Sequence, residues 1–304
     1  MNGRREEYTY ISLPLSIRLR KEHFDFLSSW RMPKLTHLEL SNFIPYERLC
    51  CENVTRLSIR LTAIREQLDV QDLRVLFESM PRIQSLSITF GVDEPFDLVV
   101  RDGVRYDNDG PALPNLAHLN LEVEAMTPDD TINHFVALLN LQSLTHLSLS
   151  FFWDDRNCME PAFEKWIGAL TPCQYPMDKM PPTFARLEIF SLKTDGVRGS
   201  HRLFKQIFMS MPNVHVVSLN ITYDADIFID KEWVEGGALS QLRTLRIEVL
   251  QISPSSSPLS PRCLDALYKM KDCEQFKTLE FRISLHRNLR IEKKELQSLM
   301  RDKL

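Results

Sequence analysis

The histidine, cysteine and carboxylate side chains are the chain's material for chemistry, and their spacing decides which chemistry is open to them. His118 and His146 hold equivalent places in two copies of one short apolar pattern, so as neighbouring strands they stand one strand spacing, about 5 Å, apart. Two imidazoles at that distance hold a transition metal only with a third ligand, and Glu122 is the obvious candidate near them. Solvated surface histidines are the preferred reading. A hydrolytic use would pair His146 with Asp154. The paired carboxylates Asp154-Asp155 and Asp224/Asp226 fall just beyond strand ends, where solvation is their ordinary role. No Gly-x-Ser-x-Gly elbow, HExxH pair or phosphate-binding glycine loop is present, and nine glycines leave little material for a cofactor cradle.

The six cysteines, Cys50, Cys51, Cys158, Cys173, Cys263 and Cys273, form no CxxC and sit beside no histidine at zinc-finger spacing. They read as reduced, largely buried thiols. Asp107-Asn-Asp-Gly110 is too irregular for calcium, with Arg105 where an EF-hand needs its first aspartate and Leu116 where it needs the closing glutamate. The sequons at Asn53 and Asn220 lie in or beside expected strands and are discounted. No enzyme, metal or cofactor is expected.

What positions these side chains is a six-residue pattern, apolar-x-x-apolar-x-apolar, seen most cleanly in Leu144-Thr-His-Leu147-Ser-Leu149. It recurs near residues 8–13, 35–40, 54–59, 83–88, 116–121, 144–149, 187–192, 214–219, 242–247 and 276–281, at gaps of 19 to 43 residues. The second and third apolar positions, two apart, share one face of a strand while the residues around them take the other. Spacing of this order fits leucine-rich repeats. The expected fold is α/β, a leucine-rich repeat solenoid (horseshoe) with short parallel strands on the concave face and helices and loops on the convex face. One domain over residues 1–304 is expected, because each repeat buries its core only against its neighbours. The asparagine that regular repeats carry three residues after the last leucine is mostly missing: Phe43, Glu124 and Phe152 stand there in three copies.

Between strands, apolar spacing predicts helices around 22–30, 66–79, 127–140, 161–170 and 201–209, with a capping helix over 291–304. Met32-Pro33, Met80-Pro81, Leu113-Pro114 and Met211-Pro212 punctuate the step into a strand, since the residue before proline disfavours helix. Asp102-Gly103 between two β-prone runs predicts a hairpin, and the stretch from Ser253 to Pro261 reads as a loop whose Ser-Pro pairs are candidate phosphate acceptors.

With 37 basic against 41 acidic residues, the chain shows no basic excess for nucleic acid, and no apolar run is long enough to span a membrane. The first seven residues are polar and do not read as a secretory signal, which points to an intracellular protein, cytoplasmic or nuclear.

Stacking the copies sets Ser12, Glu39, Ser58, Ser87, Asn120, Ser148, Ser191, Ser218, Arg246 and Glu280 in one column, a shallow polar floor. His37, Arg56, Ser85, His118, His146, Ile189, Val216, Thr244 and Thr278 form the column before it. The candidate partner-binding residues are His118, Asn120, His146, Ser148, Ser191, Ser218 and Arg246 on this face. Phe151, Trp153 and Tyr223 join them at the strand-to-loop rim, since aromatic and arginine anchors dominate protein interfaces.

The helix, Met-Pro or Leu-Pro stop and L-x-x-L-x-L strand resemble the irregular repeats of F-box/leucine-rich-repeat proteins, particularly the divergent fungal kind, over roughly residues 8–283. The resemblance implies substrate recognition for a ubiquitin ligase, with an F-box binding the ligase adaptor and the repeats holding the substrate. No F-box is visible here: Leu13-Pro14, the only Leu-Pro near the start, lies inside the first repeat copy. The expected function is a non-catalytic protein–protein interaction module. The alternative is an inhibitor or scaffold solenoid that occludes another protein, as ribonuclease-inhibitor repeats do.

Overall fold

The computed structural model describes residues 10–14, 33–42, 44–45, 48–61, 68–91, 98–99, 111–124, 129–152, 156–171, 183–195, 201–222, 237, 239–251 and 278–285. The strands are β1 (Tyr10–Pro14), β2 (His37–Ser41), β3 (Arg56–Leu61), β4 (Leu68–Asp69), β5 (Ser85–Phe90), β6 (Leu98–Val99), β7 (His118–Val123) and β8 (His146–Phe152). They continue as β9 (Ile189–Asp195), β10 (Val216–Thr222), β11 (Thr244–Gln251) and β12 (Thr278–Leu285). Among the described residues four α-helices join them: α1 (Val70–Glu78), α2 (Asp129–Ala137), α3 (Arg156–Leu170) and α4 (His201–Met209).

Ten strands form one open α/β sheet in the order β1-β2-β3-β5-β7-β8-β9-β10-β11-β12, and every pairing in it is parallel. Apart from β4 and β6, the strands follow one another in chain order, an arrangement compatible with a solenoid. The pairing never slips. Leu38, Leu57, Leu86, Leu119, Leu147, Phe190, Val217 and Leu245 make one continuous row, and Leu40, Ile59, Ile88, Leu121, Leu149, Leu192, Leu219 and Ile247 make the next. All sixteen are buried. At about 1.5–3 kcal/mol for each buried large side chain, these two rows hold the register, because a one-residue slip would turn both of them to solvent.

A second set of contacts repeats from coil to coil. The carbonyls of Thr36, Thr55, Gln84, Ala117, Thr145, Glu188 and His215 each accept two backbone N–H groups from the following strand start, at 2.8–3.1 Å. Ahead of seven strands the chain makes a four-residue turn, in which Val54, Ile83, Leu116, Leu144, Leu187, Val214 and Leu242 donate back to the third residue before them. Each turn opens on a buried apolar residue: Cys51, Met80, Leu113, Leu141, Phe184, Met211 or Leu239. Pro81, Pro114 and Pro212 take the second position of their turns, where a fixed φ near −65° suits the backbone.

Asparagine ties these turns together. The side-chain amides of Asn53, Asn115, Asn140 and Asn213 donate to the carbonyls of Pro33, Pro81, Pro114 and Ala185 in the preceding turn, at 2.7, 2.9, 3.3 and 2.7 Å. The ladder missing after the strands is therefore built before them. Asn53 also accepts from Arg82 at 2.7 Å, so the amide of this discounted sequon is engaged on both sides.

The helices cover the apolar face. Phe135 of α2 packs edge-on against Phe90 of β5, with ring centroids 5.4 Å apart, and Phe208 of α4 packs edge-on against Phe190 of β9. Leu73, Leu76 and Phe77 of α1 are fully buried in the same core. Helix α4 spans the expected residues, but elsewhere the bounds move. Residues 68–69 pair in parallel with 98–99 as a separate two-stranded sheet before α1 starts, and α3 begins at Arg156 rather than at Pro161. The expected helices at 22–30 and 291–304, the second hairpin arm, the Asp107–Gly110 loop and the Ser-Pro stretch lie outside the described residues. Among the described residues no helix is long and apolar enough to cross a membrane.

Candidate functional site

The uncovered face of the sheet carries three columns of side chains, set by the same alternation that buries the leucines. Strand β8 shows the rule: His146, Ser148, Ser150 and Phe152 are half-buried while Leu147, Leu149 and Phe151 are buried. The strand pairing places the central column as the repeat copies predict, from Ser12 through Glu39, Ser58, Ser87, Asn120, Ser148, Ser191, Ser218 and Arg246 to Glu280. A third column, which sequence reasoning did not assemble, runs Ser41, Arg60, Thr89, Glu122, Ser150, Lys193, Asn220, Glu248, Arg282. Its signal was available: these are the residues two positions beyond the central column.

Phe151 requires a correction. Proposed as a rim contact for a partner, it is fully buried and stacks edge-on against Phe163 of α3, with centroids 5.0 Å apart. The cause is pleat parity: two residues past Leu149, its side chain continues the buried row. Phe152 takes the open side instead and lies under the Lys193 ammonium, 4.6 Å from the ring centroid. Trp153 and Tyr223 lie outside the described residues.

His118 and His146 meet as expected, with ring centroids 4.3 Å apart and planes at 71°. Burial lowers the His118 pKa below the ordinary histidine range, and the neighbouring charges of His146 and Arg56 push it the same way. Glu122 does not complete a metal site. Four residues further along β7, it sits about 13 Å from His118 at about 3.3 Å per residue, and it accepts a hydrogen bond from Thr89 at 3.3 Å. Among the described residues no group of three potential ligands is close enough to hold a metal ion. His146 opens β8, and Asp154, its candidate hydrolytic partner, lies outside the described residues.

Toward the C-terminal end the face hollows into an open depression of about 510 Å3, floored by Ser148, Ser191 and Ser218 and edged by Lys193, Arg246, Glu248 and Arg282. Opposite charges alternate here. Arg246 and Arg282 approach the Glu280 carboxylate at 3.6 and 3.3 Å, and Asn220 donates to Glu248 at 3.0 Å. These pairs are largely solvated and contribute little to stability. Arg56, Arg60 and Lys193 enter no ion pair among the described residues.

The cysteines differ from one another. Cys51 is buried, and burial first, then neighbouring Cys50, raises its pKa from an ordinary 9.0 to about 11, whereas Cys50 is exposed; both are free thiols. What the face offers chemically is hydroxyls, amides and mixed charge on a rigid backbone. No protein-family model matches the chain, and no curated protein matches it.

Proposed function

We propose that this chain is a leucine-rich repeat solenoid acting as a non-catalytic protein-interaction module, with the uncovered sheet face, its concave side, as the binding surface. The solenoid reading is supported by the repetition of one turn, one doubly accepting carbonyl and one register from coil to coil. The observation that carries the function is the three-column polar face, held in a single register across ten strands and left uncovered by the described helices. Nine strand spacings make it about 43 Å long, and four residues between outer columns make it about 13 Å wide. With its rims, that approaches the ~800 Å2 per partner of a standard interface. An open hollow of solvated charges suits a macromolecule that brings its own complementary surface better than a small molecule that must be enclosed.

The resemblance to F-box/leucine-rich-repeat proteins supplies the partner's role in this reading: a protein held for ubiquitin transfer inside the cell. Affinity purification of the tagged chain from its native cell, followed by mass spectrometry, is the test. A ligase adaptor recovered with a second protein supports substrate recognition, whereas one stoichiometric partner without the adaptor moves the reading to a scaffold or inhibitor. Ser148→Arg, at the centre of the face, abolishes capture with circular dichroism unchanged. Unaltered capture by that variant refutes the surface.

A further inference from the structure

The first column of the open face is unlike the other two. Its members on β2, β3, β5, β7 and β8 are His37, Arg56, Ser85, His118 and His146: three imidazoles, one guanidinium and no carboxylate. Arg56 is exposed, makes no ion pair among the described residues, and is close enough for its charge to act on His118 across Ser85. The carboxylates elsewhere on this half of the face are committed, since Glu122 takes the Thr89 hydroxyl and Glu39 is already engaged.

Hydrogen bonding engages Nδ1 of His146 and leaves Nε2 as the nitrogen that faces a partner. Thr145 lies 2.9 Å from His146 Nδ1, and the Thr145 hydroxyl donates to the Ala117 carbonyl at 3.2 Å. In the arrangement where its proton goes to Ala117, Thr145 accepts from His146, which places a hydrogen on Nδ1. In the neutral ring Nε2 is then a bare lone pair, which repels a carboxylate and donates to one only after protonation.

We infer that the Arg56–His118–His146 corner receives an acidic segment of the partner protein and takes up a proton from solvent as it does so. The inference rests on the interaction-module reading and names the partner's chemistry. The balance is simple: a neutral imidazole, a proton and a carboxylate become an imidazolium–carboxylate pair, with Arg56 providing the permanent positive charge. The groups facing His118 are Arg56 from β3, Ser85 from β5, His146 from β8 and, further along its own strand, Glu122; beyond His146, β9 presents Ile189. In the free protein nothing among these stabilises a second imidazolium, in keeping with the lowered His118 pKa. A bound carboxylate reverses that, so affinity rises as pH falls.

A fluorescein-labelled octaglutamate peptide titrated with the full chain at pH 8, 7 and 6 tests this by anisotropy, since its side chains, with a pKa near 4.3, stay ionised throughout. The expected result is binding several-fold tighter at pH 6 than at pH 8, because each one-unit pKa rise on binding is worth at most a factor of about ten, reached only below the free-state pKa. His118→Gln/His146→Gln flattens that dependence, and Arg56→Gln weakens binding at every pH. Thr145→Val, which frees Nδ1 and lets neutral His146 carry its hydrogen on Nε2, reduces the pH dependence while binding persists. Equal binding of octaglutamine, tighter binding of a labelled oligonucleotide, or a pH profile unchanged in the double histidine variant overturns the inference. If octaglutamate does not bind while Ser148→Arg still abolishes capture of the cellular partner, the acidic-segment inference alone is refuted and the interaction surface stands.

Discussion

Replacing Phe151 by alanine separates a core residue from a contact residue. The ring is fully buried at the end of β8 and packs edge-on against Phe163, 5.0 Å between centroids, so truncation leaves a cavity walled by strand and helix. Phe→Ala at such sites costs about 3–5 kcal/mol, of which the edge-to-face geometry accounts for roughly 0.5–1.5 kcal/mol beyond area. The neighbouring Phe152 is half-buried and holds only the Lys193 ammonium over its ring, a contact of about 0.5–1 kcal/mol at an exposed site. The two substitutions, adjacent and chemically identical, should thus differ by about 3 kcal/mol. Urea unfolding followed by far-ultraviolet circular dichroism, and checked against tryptophan fluorescence, measures the difference. At a slope near 3 kcal/mol per M, Phe151→Ala moves the midpoint down by just over 1 M. Equal midpoints for the two variants, with partner capture lost only in Phe151→Ala, would mean that the pleat parity breaks after Leu149 and that Phe151 belongs to the rim after all.

The same alternation predicts that Leu147→Ala costs about 2–5 kcal/mol while Ser148→Ala, one residue on, changes stability by less than about 0.5 kcal/mol; comparable losses in urea unfolding would refute the register. Thr194 sits fully buried in a row with Phe90, Val123, Phe151 and Ile221, its hydroxyl without a partner among the described residues, so Thr194→Val should stabilise the chain by about 1 kcal/mol in the same assay. A destabilised valine variant would show that the hydroxyl is satisfied. Because the Cys51 thiol titrates near 11 when folded and nearer its ordinary 9.0 when unfolded, the unfolded state loses its proton first. Stability therefore falls between those two pH values. Cys51→Ala should show a shallower decline than the wild type across that window, and identical slopes would remove the linkage.

The register was legible because period-two alternation carries its own proof: Leu147 and Leu149 fix which face His146 and Ser148 take, and ten copies fix which residues stand side by side. Applied one step further, the same counting places Phe151 inside. A general preference for aromatics at interfaces displaced that local rule, and the local rule prevailed because strand geometry leaves an in-line side chain no choice of face. Regular repeats carry their asparagine ladder three residues after the last strand leucine. Here it sits in the turn before the strand, in Leu-Pro-Asn-Leu116 and Met-Pro-Asn-Val214, where the sequence showed only a helix stop. The pairing of Leu68–Asp69 with Leu98–Val99 had no local signal. Leu68 suits a helical period equally well, and its partner lies thirty residues away. The helix expected at 161–170 begins five residues earlier, at Arg156, and carries Pro161 internally.

One division of labour accounts for both the regular face and the irregular sequence. From the buried residue that opens each turn to the donor that closes it is always three positions, and the two inward strand residues follow at three and five more, as in Leu113, Leu116, Leu119 and Leu121. Among the seven coils whose turns are described, the variation in repeat length falls between the end of one strand and the next turn, and α1 to α4 lie in four of those connections. Lengthening a connection is inexpensive, since each doubling adds only about 0.6 kcal/mol of closure entropy. Shifting a strand by one residue is not, because it would carry Leu147 and Leu149 to solvent and His146 and Ser148 into the core. The chain is therefore free to vary its connections while the columns of the open face stay fixed, which is the combination a recognition surface requires.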